Sequence, residues 1–378
     1  MSTTTTPTAA GLEGVVAGES EICYIDGYAG VLSYRGYNIH TLATEATFEE
    51  VIWLLWKGHL PKKAELDSLK AELFANSGLP AQVVAFLKAN LKGAPMDVLR
   101  TAVSMLSLDN PAEAKDMSPE ANQRKAGKLM AQTSMIVAGF GRLRTGQEIV
   151  APDKSLSFAG NFLYCLTGKK PDSVMEHVFD VALILHADHE LNASTFAARV
   201  TAATLSDIYS CVTSGIGALK GPLHGGANEE VIKMLLEVGT ADKAIERVGE
   251  MLAKKIKIPG FGHRVYRTED PRATHLRKMS ESLGKSTGHE DLYLMSSRVE
   301  EMVKGEKKLN PNVDFYSAST YYSLGIPIDL FTPVFAVSRM SGWTAHVLEQ
   351  YHNNRLIRPR AEYKGNADGM AWVPMDKR

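Results

Sequence analysis

The chain has no excess charge of either sign. Its 42 lysines and arginines stand against 43 aspartates and glutamates, for a formal net charge of −1. No global field therefore favours nucleic acid or an anionic membrane, and any anion must be held by local clusters of arginine. Cysteine is scarce too: Cys23, Cys165 and Cys211 have neither metal-ligand spacing nor a disulfide pattern, which points to free thiols in a reducing compartment. No uncharged apolar run approaches the roughly 18–20 residues that a bilayer-spanning helix requires. Phosphate-loop signatures are missing: there is no G-x-x-x-x-G-K-[ST], and no G-x-G-x-x-G after a strand. Residues 1–10 lack both the basic-plus-apolar pattern of a signal peptide and the arginines of a transit peptide. They read as a floppy tail on a cytoplasmic protein. β-rich segments and internal repeats are also absent, which argues against a doubly wound α/β fold.

What is present is helical periodicity along 378 residues, a length that suggests two domains. Ile22 to Ile39 alternates around Asp26-Gly27 and Tyr34-Arg35-Gly36-Tyr37 and predicts a small β-hairpin. Thr47 with Glu50 three residues on is a capping box for the first apolar helix. Ser118-Pro119 opens a long helix to about Arg144. A single helix is expected from Ser194 to Ile216. After Gly221 the helices (about Asn228 to Val238, Ala241 to Lys254, His275 to Leu283 and Glu290 to Val303) are shorter and richer in charge. Apolar helices return at Leu330 to Met340 and Trp343 to Tyr351. The expectation is an all-α fold with a large helical domain, residues 1–225 and 326–378, and a smaller one inserted at 226–325.

Four stretches carry chemistry-bearing residues. Ile258 to Arg272 combines Pro259, Gly260 and Gly262, which prevent regular helix and leave N–H groups free, with His263, Arg264, Arg267 and Arg272. That is either a surface turn with solvated charges or an anion site beside an acid–base group. Gly221-Pro-Leu-His224-Gly-Gly-Ala-Asn228 places a histidine within a turn of a helix start. The partial positive charge there would keep the imidazole neutral, able to polarise a carbonyl; the alternative is a capped turn with an incidental histidine. Asp314, in Asn312-Val-Asp-Phe-Tyr-Ser317, is either an N-cap or a carboxylate whose pKa desolvation raises towards that of a useful base. His186-Ala-Asp-His189-Glu190 has histidines at i, i+3 with the glutamate outside them. It departs from the zincin pattern, so hydrogen bonding or core packing is expected rather than metal. Arg339 falls on an apolar helix, where an unpaired guanidinium would be costly. Arg358 lies in an extended tail.

Taken together, His186-Ala-Asp-His189-Glu190, Gly221 to Asn228, Pro259-Gly-Phe-Gly-His263 with Asp270-Pro-Arg272, and Asn312-Val-Asp314 closely resemble the citrate synthases, in the same order and across nearly the whole chain. Tyr24-Ile-Asp-Gly27 with Tyr34-Arg-Gly-Tyr37 is similar to that family's N-terminal region. The resemblance implies an all-α homodimer whose small domain closes over oxaloacetate and then acetyl-CoA, releasing citrate and CoA, with no metal and no cofactor beyond the co-substrate. It implies that Asp314 takes the methyl proton, His224 hydrogen-bonds the thioester oxygen, and His263 polarises the ketone. His189, Arg272, Arg339 and, from the partner subunit, Arg358 would hold the carboxylates. Lys257, Ile258, Gly260, Phe261, Gly262 and Arg264 would meet CoA. A 2-methylcitrate synthase using propionyl-CoA would share these catalytic groups; Leu223 and the Phe315-Tyr316-Ser317 run are candidates for the acyl pocket. From another class, a non-catalytic anion-binding protein could keep the same fold.

Overall fold

Thr47 and Glu50 close the capping box that their spacing predicts: the Glu50 carboxylate accepts the Thr47 N–H at 2.7 Å, and the Thr47 hydroxyl accepts the Glu50 N–H at 3.4 Å. Ser118 likewise caps the long helix, with proline at its first position. Such local stops and starts divide nearly the whole chain into helices.

The structure is a computed structural model and describes residues 10–12, 14–366 and 369–378. The stretch expected to be a floppy tail lies, except for Ala10, outside the described residues. The strands are β1 (Cys23–Asp26), β2 (Val31–Tyr34) and β3 (Tyr37–Asn38). The first helices are α1 (Ile39–Glu45), α2 (Phe48–Lys57), α3 (Lys63–Ala75), α4 (Ala81–Ala89), α5 (Pro95–Met105), α6 (Pro111–Lys115) and α7 (Pro119–Arg144). There follow α8 (Phe158–Thr167), α9 (Ser173–His186), α10 (Ala193–Ala202), α11 (Ile208–Leu219), α12 (Ala227–Val238) and α13 (Ala241–Ala253). The last are α14 (Pro271–Thr287), α15 (Glu290–Lys307), α16 (Val313–Ser323) and α17 (Phe331–His352).

Three expectations need correction. The hairpin is a three-stranded antiparallel sheet, β1-β2-β3. Arg35 and Gly36 both take positive φ, 48° and 86°, so the chain reverses in a two-residue turn and Tyr37 pairs back with Tyr34. The single helix expected from Ser194 to Ile216 is two, α10 and α11. Leu205 turns into the left-handed region (φ 62°), and Asp207 caps the second helix through the Ser210 N–H. Conversely, the two apolar segments at the C-terminal end form one helix, α17. Gly342 lies within it because a Cβ there would fall 2.4 Å from the Ala187 carbonyl oxygen. Lacking a side chain, it lets α17 approach the turn after α9.

The core runs along α7 and α17, which pack on each other and are buried over most of their length. α9, α2 and α8 close one side, and α10 and α11 another. Helices α12 to α16 pack mainly among themselves: α14 on α16, α12 on α16, and α13 on α15. They meet the rest through α1 and α9 against α14, and α12 against α17. The end of α9 therefore lies near the start of α14, where the charges of Asp270 and Arg272 reach His186.

Candidate active site

The turn after α9 carries His186 to Glu190 and is fixed from three sides. The Tyr34 hydroxyl donates to the carbonyls of Ile184 (3.2 Å) and Asp188 (3.0 Å). Asp188 is fully buried; its carboxylate accepts the Glu190 N–H at 3.0 Å and lies 3.2 Å from His346 Nε2. Arg339 Nε donates to the His186 carbonyl at 2.8 Å, and its guanidinium lies 4.8 Å over the Phe335 ring. His186 donates through Nδ1 to the Ala182 carbonyl at 2.7 Å. The two histidines of this turn thus make separate contacts, and no group of three or more potential metal ligands exists among the described residues.

His189, at the end of that turn, meets the second site loop. Its Nε2 is 3.2 Å from the Tyr266 hydroxyl, and its ring centroid is 5.2 Å from that of His263. His263 Nδ1 accepts the N–H groups of Val265 (3.0 Å) and Tyr266 (3.2 Å). An accepting Nδ1 carries no hydrogen, so the neutral ring bears its hydrogen on Nε2. Burial, reinforced by the Arg272 charge, pushes the His263 pKa down to about 4.

His224 is fixed in the opposite tautomer. Its Nε2 accepts the Ser194 N–H at 3.3 Å, leaving the hydrogen on Nδ1, and lies 2.8 Å from the Ser194 hydroxyl, which also lies 2.8 Å from the Asn192 side-chain oxygen. The Trp343 indole N–H donates to the same hydroxyl oxygen at 3.1 Å and orients it. His224 also titrates at about 4, because burial and then Arg339 oppose the imidazolium. The sequence implies a neutral His224 but attributes it to the helix start; burial is the larger cause.

Two carboxylates complete the site. Asp270 holds Arg272 through Oδ1 to Nε (2.9 Å) and Oδ2 to Nη2 (2.7 Å), and also accepts the Val313 N–H at 3.2 Å, tying α14 to α16. Arg272, expected to meet a substrate carboxylate, is thus already half engaged. Asp314 is not the N-cap of α16; Asn312 is, and it accepts the Asp314 N–H at 3.0 Å. Asp314 Oδ1 is shielded from solvent and has no hydrogen-bond partner among the described residues. Burial pushes the Asp314 pKa up to about 6, with Arg272, Arg339 and Lys257 pulling the other way.

The glycine loop is strapped to this helix start. Asn312 N–H donates to the Gly260 carbonyl (2.9 Å) and its side-chain amide to the Gly262 carbonyl (3.0 Å), while Phe261 stacks edge-on to Phe315. Beside the loop is a slot of about 220 Å³ with Leu252, Ile256, Ile258, Phe261 and Leu309 in its wall and Lys255, Lys257 and Lys307 around it. Arg264 is exposed and makes no contact with the slot. The acyl-pocket candidates fare poorly. Leu223 is 89% exposed, Phe315 packs on Phe261, and Tyr316 hydrogen-bonds Glu300; only Ser317, bonded to the Asp314 carbonyl, stays close to the site. Arg358 is exposed in the extended segment after α17, with no partner among the described residues, and does not join the site of its own chain.

His189, His224, His263, Arg272, Arg339 and Asp314 are thus brought together from five separate segments. Sequence reasoning missed Ser194, Tyr266 and His346 as their supports. His346 was signalled by its place seven residues, two helical turns, after Arg339; Ser194 and Tyr266 carried no signal of their own.

A family model described as "Citrate synthase, C-terminal domain" matches residues 11–360. "Citrate synthase 2" of Bacillus subtilis is 55% identical over 370 residues, covering 97% of this chain and 98% of that one. A 2-methylcitrate synthase of Shewanella oneidensis is 43% identical, covering 95% of each chain. The solved ternary complex of Thermoplasma acidophilum citrate synthase with carboxymethyl coenzyme A and oxaloacetate superposes with a TM-score of 0.92 at 32% identity, covering 98% of this chain and all of that one. Matches of this extent, on a chain that sets the three motif histidines and Asp314 within the field of the same two arginines, Arg272 and Arg339, place it in the citrate synthase family.

Proposed function

We propose that this protein condenses acetyl-CoA with oxaloacetate and hydrolyses the resulting thioester, yielding citrate and free CoA. What supports this most is the pairing of tautomers, His224 presenting Nδ1–H and His263 presenting Nε2–H, together with Asp314, which has an unpartnered oxygen and feels the same two guanidinium charges that act on those rings, Arg339 and Arg272. A thioester methyl is a very weak acid, so a carboxylate removes its proton only if the developing enol oxygen is stabilised at the same moment. Asp314 takes the proton while His224 donates to the thioester oxygen. The enol carbon then attacks the ketone of oxaloacetate, whose oxygen receives the His263 Nε2 hydrogen bond as it becomes an alkoxide. Water cleaves the citryl thioester and the CoA thiol leaves.

His189, Arg272 and Arg339 hold the carboxylates, each charge-assisted hydrogen bond contributing about 1.5–3 kcal/mol. The apolar slot fits the adenine ring, with Lys255, Lys257 and Lys307 for the phosphates. Closure of the α12–α16 lobe, residues 226–325, excludes water from the enol. No metal or cofactor beyond the co-substrate enters this scheme.

Propionyl-CoA is the second reading, since one methylene is worth only about 1–3 kcal/mol of discrimination. A steady-state comparison of the two thioesters with oxaloacetate, following thiol release, tests it. Acetyl-CoA is expected to show the higher kcat/KM, by tenfold or more; a preference for propionyl-CoA overturns the assignment.

We further propose a cytoplasmic homodimer with shared sites. The segment after α17 exposes Leu356, Tyr363, Met370 and Trp372, the last at 82%, more apolar surface than a tail leaves in water without a partner. Crossing to a second copy would bury it and deliver Arg358 to the partner's site. Mixed dimers of Arg358→Ala and His224→Ala chains should recover activity that neither variant has alone; no recovery overturns the shared site.

A further inference from the structure

We propose that the turn of the N-terminal hairpin, Asp26 to Gly30, is a positioning element for His263, acting through Gly27; this rests on the reading of His263 as the group that polarises the ketone.

The His263 tautomer depends on where two backbone N–H groups stand, those of Val265 and Tyr266. Neither belongs to a helix or strand, and Val265 and Arg267 are exposed, so the loop does not hold itself in place. The hairpin does. The Arg267 N–H donates to the Gly27 carbonyl at 2.8 Å. A Cβ at Gly27 would lie 2.2 Å from the Val265 carbonyl oxygen and 2.8 Å from its carbon. That carbonyl and the Tyr266 N–H belong to one planar peptide unit. Gly27 therefore backs directly onto the peptide whose opposite edge is aimed at His263 Nδ1.

The turn is stiff enough for the task. The Asp26 carboxylate accepts the N–H groups of Tyr28 and Ala29, both at 2.9 Å. Gly30 abuts the Thr268 side chain and the Glu269 carbonyl. The same small sheet supplies Tyr34, whose hydroxyl holds the Asp188 carbonyl beside His189. One hairpin thus sets the spacing between the two histidine-bearing turns. Gly27 does not occupy the left-handed region, so alanine is excluded there by the Val265 contact and not by backbone strain.

The test is Gly27→Ala in the full chain, with Tyr28→Ala, a side chain 82% exposed in the same turn, as control. Imidazole ¹⁵N spectra of histidine-labelled protein report the tautomer, with His263→Gln identifying the signal. The groups facing His263 are His189 from the turn after α9, Tyr266 from its own loop, and Asp270 and Arg272 at the start of α14. None is altered by the variant. The unsubstituted chain should show a single Nε2–H tautomer. Gly27→Ala should mix the tautomers, lower kcat about 10- to 100-fold, as misplacements on the 1 Å scale do, and move the acid limb of kcat to higher pH. KM for acetyl-CoA should change less than threefold. An unchanged tautomer, a shifted tautomer with normal kcat, or an equal loss in Tyr28→Ala overturns the proposal. Should Gly27→Ala fail to fold, Asp26→Ala, which frees the turn without adding bulk, should mix the tautomers and lower kcat; an unchanged signal in that variant overturns the proposal equally. If the unsubstituted chain forms no citrate, the functional reading falls, while the spectra still decide what the hairpin does.

Discussion

Two aspartates stand at the starts of neighbouring helices, Asp270 as the N-cap of α14 and Asp314 in the first turn of α16, and they end in opposite states. Burial opposes the charge of each. At Asp270 the Arg272 guanidinium, in two-point contact, outweighs burial and leaves the pKa below the ordinary carboxylate range. At Asp314 the same guanidinium acts only from a distance, burial wins, and the pKa rises to about 6. Because Arg272 is committed to one carboxylate, the other is left ionisable near neutrality and, among the described residues, has an oxygen without a partner. One aspartate anchors the site and the other is free to react.

Removing the reactive charge should give the largest effect. Asp314→Asn is expected to lower kcat by about 10³- to 10⁴-fold, the upper range for loss of a general base, with oxaloacetate affinity by calorimetry within about threefold. The same variant should be more stable. An acid whose folded pKa is raised contributes stability below its unfolded value, near 4, and loses it as pH rises through about 6. At pH 7.5 the asparagine variant should therefore gain on the order of 1–3 kcal/mol in urea unfolding, a gain that vanishes below about pH 4. For the same reason, kcat/KM of the unsubstituted chain should fall as pH drops through 6.

Asp270→Asn should do the reverse and breaks the comparison if it does not. It leaves a buried guanidinium without its counter-ion, at a cost of about 3 kcal/mol or more. Asp270 has a depressed pKa, so its contribution is present above about pH 4 and is lost as pH falls below that. Chemical denaturation at pH 7.5 and pH 3.5 checks the sign: the deficit of the variant should be large at the first and shrink at the second.

The sequence carries much of this, for identifiable reasons. Helices α2 and α7 were legible because Thr47 and Ser118 are strong local start signals. His224 and His263 stood out because glycine, proline and a titratable group rarely cluster without cause, and Asp314 because a carboxylate among apolar and aromatic neighbours is costly. The break at Leu205 was not legible, since a leucine in the left-handed region follows from the packing of α10 against α11 and not from its own preference. The states of Asp270 and Asp314 were equally hidden. Both read as aspartate near a helix start, and only the position of the Arg272 side chain, fixed in three dimensions, tells them apart. The same holds for Ser194 and Tyr266: a hydroxyl becomes a support only when a ring nitrogen from 30 or 77 residues away arrives beside it.

The smallest expected effect sharpens the distinction between groups that react and groups that hold them. Ser194→Ala removes the hydroxyl that joins the Trp343 N–H to His224 Nε2. The Ser194 backbone N–H remains at 3.3 Å and still marks Nε2 as the acceptor, so the tautomer survives but the ring is held more loosely. The loss should be about tenfold in kcat, near 1.4 kcal/mol, with oxaloacetate affinity unchanged. The buried Trp343 N–H loses its acceptor, which should lower stability by about 1–3 kcal/mol. Ser194→Thr, which keeps the hydroxyl, should restore most of the rate if the added methyl fits beside Trp343. A loss as deep as that of Asp314→Asn would put Ser194 among the reacting groups and erase the line drawn between holding and reacting; no loss at all would mean that one backbone N–H orients the imidazole unaided.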